Sequence, residues 1–100
     1  MAGALVVQVT GQAPAMFTQA FKVGRAGSPH MICPLTVDDA YASSPHAEFT
    51  PEPDGWYVAD LGSTNGTYVN GGFQRAYRHR LAKGDQIRVG RTVLTVVPVA

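Results

Sequence analysis

The chain has 100 residues, 45% of them hydrophobic, and a net charge of +1. That length predicts one domain over residues 1–100 with a core of its own, and the apolar fraction excludes disorder. A balance this close to neutral argues against electrostatic binding to nucleic acid or to an anionic membrane, so any anion site must be local. The single cysteine, Cys33, excludes an internal disulfide and a cysteine-rich zinc site, and it fits a reducing compartment. No basic residue precedes the apolar run Leu5-Val6-Val7, and Gln8 interrupts it early, which is unlike a signal peptide. No apolar stretch reaches the roughly 18 residues of a membrane span. The expected location is the cytoplasm, without direct membrane insertion; this is compatible with being one piece of a longer, membrane-attached protein.

Helices are not expected. Pro14, Pro29, Pro34, Pro45, Pro51 and Pro53 interrupt the first half too often. Alternation of period two predicts strands instead. Leu5, Val7 and Val9 share one face, with Gln8 and Thr10 on the other. Phe21 and Val23 alternate with Ala20 and Lys22. A short apolar piece runs from Ile32 to Val37, with Pro34 marking an edge or bulge. Ala47 to Thr50 reads as a strand, and Pro53-Asp54-Gly55 as the turn leading to the next, from Trp56 to Leu61. Thr67 to Asn70 is short. Lys83-Gly84-Asp85 introduces a strand at Ile87 and Val89. Gly90-Arg91 fits a type II′ hairpin turn into the β-branched run Thr92 to Val97, which Pro98 ends. The pattern predicts an all-β fold, a two-sheet antiparallel β-sandwich of about ten to eleven short strands. These turns read as scaffold.

Three strand ends carry polar donors: Val23-Gly24-Arg25, Ala42-Ser43-Ser44-Pro45-His46-Ala47, and Ser63-Thr64-Asn65-Gly66-Thr67. The last is the most informative. By itself Asn65-Gly66 is a strong hairpin signal. Its hydroxyl and amide groups also suit the oxygens of a phosphate. Loops gathered at one end of a sandwich are a common place for binding residues.

These segments resemble the forkhead-associated family of phosphothreonine-peptide readers. Four elements occur in the family's order. They are Gly24-Arg25; Ser43 and His46 at Ser-x-x-His spacing before Ala47; Asp60 to Thr67 with Val69-Asn70-Gly71; and Leu81 to Asp85 followed by Ile87 and Gly90. The stretch Asp39 to Ser43 is also similar to forkhead-associated modules of actinobacterial proteins. The resemblance covers about Phe21 to Val97, with Leu5 to Val9 as the expected first strand. It implies a module that binds a phosphothreonine-containing protein or peptide, a Ser/Thr protein kinase or its substrate, and has no catalytic activity of its own. It further implies that Arg25, Ser43 and Thr64 contact the phosphate and that Asn65 holds the peptide backbone. Gly24, His46 and Gly66 would shape the loops. Many members carry arginine or lysine after the serine, others a neutral polar residue; this chain has Ser44, a donor without charge, which is also expected to bind the phosphate. Arg25 is therefore expected to be the principal cation, with Arg75, Arg78 or Arg80 as compensating candidates. Pro45 should stiffen the loop.

Other readings compete. With a pocket weakened by Ser44, the domain would bind partners independently of phosphate. A Ser43–His46 hydrolase, with Asp38, Asp39 or Asp60 as third member, is a remote alternative, since no Gly-x-Ser-x-Gly elbow is present. His30 and His79 lack partners at metal-ligand spacing, so no metal or other cofactor is expected. Arg75, Arg78, His79 and Arg80, with Phe73 and Tyr77 between them, read as a solvated loop more than as a nucleic-acid patch. Tyr41, two residues before Ser43, is either packing or part of a specificity surface.

Overall fold

A computed structural model describes residues 3–28, 33–72 and 75–97. Expectations for His30, Ile32, Phe73 and Pro98 lie outside these residues. Among the described residues there are ten strands: β1 Leu5–Val9, β2 Ala15–Phe17, β3 Phe21–Arg25, β4 Leu35–Val37, β5 Ala47–Glu52, β6 Gly55–Asp60, β7 Thr67–Val69, β8 His79–Arg80, β9 Gln86–Val89 and β10 Thr92–Val96. They form two five-stranded sheets, ordered β2-β1-β10-β9-β7 and β4-β3-β5-β6-β8. The expected sandwich is what forms. One pairing departs from the antiparallel expectation: β3 and β4 run parallel, with Val23 opposite Leu35 and Arg25 opposite Val37.

Alternation sets the core. Leu5, Val7 and Val9 of β1 are buried while Val6 and Gln8 are half-buried. Val23, Phe49 and Val58 from one sheet and Val7, Ile87, Val89 and Leu94 from the other are fully enclosed between the two layers. Phe21 stacks on Phe49, with ring centroids 4.7 Å apart, and on Phe17 at 3.7 Å. Burying a side chain of this size contributes about 1.5–3 kcal/mol. The Trp56 indole N–H donates to the Gly3 carbonyl at 2.7 Å, which ties the N-terminal segment to β6.

Two strands were not legible in advance. β2 holds three residues, too few for its alternation to stand out, and β8 holds two, both exposed. The Asn65-Gly66 signal does not close a hairpin either. β6 and β7 lie in different sheets, and residues 61–66 carry the chain from one layer to the other. The Gly90-Arg91 turn does form as expected: Val89 pairs with Thr92 across it, and Gly90 has φ +64°. Among the described residues no helix is long and apolar enough to cross a membrane.

Candidate functional site

The crossover between the sheets is organised by a carboxylate that the motif reading passed over. The Asp60 side chain is 1% exposed, at the end of β6. Its Oδ1 accepts the hydroxyl protons of Ser63 and, at 2.8 Å, Thr67. Its Oδ2 accepts the N–H groups of Gly62 at 3.0 Å and Ser63 at 3.1 Å, and Arg75 Nη1 lies 3.3 Å away. Burial alone would raise the Asp60 pKa. The hydrogen bonds from Ser63 and Thr67, with the Arg75 charge, outweigh it and hold the carboxyl below its ordinary value. Ser63 and Thr67 are therefore buried and turned inward. Thr64 and Asn65, between them, are exposed. Of the polar rim seen in the sequence, two members face solvent and two brace the turn.

Gly66 closes that brace. Its N–H donates to Ser63 Oγ at 2.9 Å, and its φ of +82° suits glycine. A Cβ there would also sit 2.7 Å from the Tyr68 hydroxyl oxygen. Asn65 has no positive φ; among non-glycine residues described, only Asn70 does. Asn65 serves through its side chain, whose Nδ2 donates to the Tyr41 carbonyl at 2.8 Å.

The His46 ring joins two of the three loops from beneath. The ring is fully buried. Nδ1 accepts the Ser43 backbone N–H at 2.9 Å, so the proton belongs on Nε2, which donates to the Gly66 carbonyl at 2.9 Å. Burial lowers its pKa, only partly offset by the Gly66 carbonyl and nearby carboxylates, and favours the neutral ring. The remote hydrolase alternative needed His46 to meet the Ser43 hydroxyl. Both ring nitrogens are instead engaged with backbone, and the contact to Ser43 is through its N–H.

The Ser43 hydroxyl faces the crossover. Ser43 Oγ accepts the Thr64 N–H at 3.1 Å, which leaves its own proton available to a ligand. Ser44 precedes a cis bond to Pro45, and its Oγ lies 3.9 Å from Cys33 Sγ. Ser44 also sits over Gly24: a Cβ on Gly24 would come within 2.5 Å of Ser44 Oγ and 2.7 Å of Cys33 Sγ. Gly24 thus admits the loop close to β3 and sets it beside Arg25, the exposed last residue of that strand.

Among the described residues, Arg25 is the arginine with neither a carboxylate nor an aromatic partner. Arg75 pairs with Asp60, Arg78 with Glu52 and Arg80 with Asp54. Arg78, Arg88 and Arg91 lie over the rings of Tyr57, Tyr68 and Tyr41. Glu52 and Asp54 flank the β5–β6 turn, at the far end of the strands from Arg25 and Asp60. Of the compensating cations considered from sequence, Arg78 and Arg80 are thus committed to the far end, and Arg75 is paired with Asp60 within the crossover itself. Among the described residues no group of three or more His, Cys, Asp or Glu side chains could hold a metal ion.

Comparison with known proteins gives a family context. The model of the FHA domain matches residues 21–90. The FHA domain-containing protein FhaB of Mycolicibacterium smegmatis is 43% identical over 67 residues, spanning 64% of this chain and 41% of that protein. The oxoglutarate dehydrogenase inhibitor of Corynebacterium diphtheriae is 36% identical over 98 residues, spanning 96% of this chain and 65% of that protein. The chain thus spans roughly half the length of these curated relatives. A structure solved for phosphothreonine-dependent FHA domain interactions superposes with a TM-score of 0.77 at 25% identity, covering 97% of this chain and 98% of its own.

Proposed function

The chain belongs to the FHA-domain family, and from that premise we propose that residues 1–100 form a single module that binds phosphothreonine in a protein partner and carries no catalysis of its own. The observation that carries this reading is the Ser43–Thr64 bond, which fastens two loops together beside an arginine with no carboxylate partner among the described residues. Arg25 supplies the charge and a paired set of N–H donors. Ser43 and Thr64 supply hydroxyl protons, and Ser44 lines the floor beside Gly24. Asn65 holds the peptide backbone with the oxygen and the remaining N–H of its amide. Gly24, His46 and Gly66 position these loops without touching ligand.

A phosphothreonine carries a charge of about −1.5 to −2, which Arg25 alone neutralises only in part. Hydrogen bonds to a charged group contribute roughly 1.5–3 kcal/mol each, so three or four of them make the phosphate the main source of affinity. The partner is a protein phosphorylated by a Ser/Thr kinase, or the kinase itself. Such a role, with the unpaired Cys33, fits the cytoplasm. One observation favours a second reading. Ser44 brings no charge and lies against Cys33, which leaves a pocket with one cation and room for phosphate-independent binding elsewhere on the sandwich. Titration of matched phosphothreonine, phosphoserine and unphosphorylated peptides separates the two. The proposal expects binding in the order phosphothreonine, phosphoserine, unphosphorylated. Equal affinity for all three would leave the phosphate-independent reading.

A further inference from the structure

Beside Asn65 the structure holds a second cation that the reading above does not use. The β9–β10 turn folds onto the loop before Ser43. Asp39 fastens the two: Oδ1 accepts the Tyr41 N–H at 2.8 Å, while Oδ2 accepts the Arg91 N–H at 2.6 Å and the Thr92 hydroxyl at 2.7 Å. The approach is tight enough that a Cβ on Gly90 would lie 2.8 Å from Asp39 Oδ2 and 2.9 Å from the Ala42 nitrogen. The Arg91 guanidinium then lies over the Tyr41 ring, 4.0 Å from its centroid. Tyr41 is 47% exposed, and its carbonyl is the group that holds Asn65.

We propose that Arg91, presented on the Tyr41 ring, is a specificity-determining residue that selects partners with acidic side chains on one flank of the phosphothreonine. The inference rests on the phosphopeptide reading of the same site. Its chemistry is simple. A ring face steadies a guanidinium without using its N–H fork, so the donors remain open to a carboxylate. Among the described residues no carboxylate forms an ion pair with Arg91, whereas Arg75, Arg78 and Arg80 each have one. Asp39, which fastens this turn, already accepts three protons, from the Tyr41 and Arg91 backbone N–H groups and the Thr92 hydroxyl. Its hydrogen bonds, those of Thr92, Tyr41 and Arg91, outweigh burial and hold its carboxyl below the ordinary value, and it is through them that Asp39 holds the turn in place. The geometry also gives direction. Arg25 ends β3 in one sheet, and Arg91 lies in a turn of the other, with Ser43, Thr64 and Asn65 in the loops between them. A peptide whose phosphate meets Arg25 and whose backbone meets Asn65 continues onto the Tyr41–Arg91 pair.

The test uses phosphothreonine peptides with neutral flanks, with three glutamates before the phosphothreonine, or with three after it, each beside its unphosphorylated form. They are titrated against wild type, Arg91→Gln and Arg91→Glu, all of which keep the backbone N–H that Asp39 accepts. One of the two acidic phosphopeptides should bind wild type about three- to fivefold tighter than the neutral one, as expected for an exposed ion pair, and the gain should shrink at high salt. That ratio should fall to about one in Arg91→Gln and below one in Arg91→Glu. Tight phosphate-dependent binding with no acidic preference on either flank, or a preference that survives Arg91→Glu, overturns this proposal alone. Equal affinity for phosphorylated and unphosphorylated peptides overturns both readings.

Discussion

Replacing Asp60 tests whether one buried carboxylate holds the recognition loop in place. Its side chain is 1% exposed and meets five donors: the hydroxyls of Ser63 and Thr67, the N–H groups of Gly62 and Ser63, and Arg75. In Asp60→Ala all five lose their acceptor at once. Each buried donor left unsatisfied costs about 1–3 kcal/mol, and breaking a buried ion pair from one side costs about 3–5 kcal/mol. Water reaching the half-exposed Arg75 reduces the sum, so the expected loss is about 3–5 kcal/mol, a large share of the roughly 5–15 kcal/mol available to a domain. Asp60→Asn is milder. Its oxygen can keep the two backbone N–H groups while its NH2 faces two hydroxyls. Either hydroxyl can turn to accept, Ser63 Oγ beside its bond from Gly66, but each then leaves its own proton without the Asp60 acceptor. About 1–2 kcal/mol is expected there. Urea denaturation reads both values, and at roughly 4–8 °C per kcal/mol a thermal melt separates them plainly. Below the melting range, phosphopeptide affinity should also fall, because Thr64 and Asn65 ride on the same turn. An Asp60→Ala protein within 0.5 kcal/mol (about 3 °C) of wild type would refute the reasoning.

The same groups set the response to acid. Asp60 and Asp85 have folded pKa values below their unfolded ones, so the stability they contribute is complete above the ordinary carboxylate range and is lost as pH falls through the folded values. His46, lowered by burial, acts in the same direction from about pH 6.5 downward, because the unfolded chain binds its proton first. Unfolding free energy measured from pH 7 to 3 should fall monotonically, more shallowly in Asp60→Asn; a curve flat to pH 3 would contradict this. His46→Ala removes a fully buried ring and both of its loop contacts, and should cost about 2–4 kcal/mol in a urea titration. A cost below 0.5 kcal/mol (under about 3 °C in melting temperature) would show the ring is not a brace. Gly24→Ala places a methyl group 2.5 Å from Ser44 Oγ and should weaken phosphopeptide binding by displacing that loop; affinity equal to wild type would show the loop yields freely.

Much of this was legible in the sequence, for a physical reason. β1, β3 and β9 pack one face on the core, so alternation announced them, and β-branched content announced β10. The strand ends at Gly24-Arg25, Ser43 to His46 and Ser63 to Thr67 do gather at one end of the sandwich: the Ser43–Thr64, His46–Gly66 and Asn65–Tyr41 bonds link the second and third, and the His46 N–H donates to the Val23 carbonyl beside Gly24. What escaped depends on contacts between distant residues. Asp60 stands among motif residues, yet only its burial shows that it organises them. Gly90-Arg91 was read as scaffold because a two-residue turn signals only itself. Its arginine acquires meaning from Tyr41, 50 positions earlier, through a carboxylate whose partners no local pattern reveals. Ser63 looks like a donor to a ligand in sequence, but its hydroxyl donates to Asp60, while the Ser44 hydroxyl lies 3.9 Å from Cys33 Sγ.

The most direct measurement is the affinity of one phosphothreonine peptide, found by library screen, for wild type and Arg25→Ala. Arg25 is exposed and has no carboxylate or aromatic partner among the described residues, so its loss should leave the melting temperature unchanged. Affinity should fall by about tenfold to more than a hundredfold, towards that of the unphosphorylated peptide. An Arg25→Ala protein that still binds the phosphopeptide as wild type does would contradict the account.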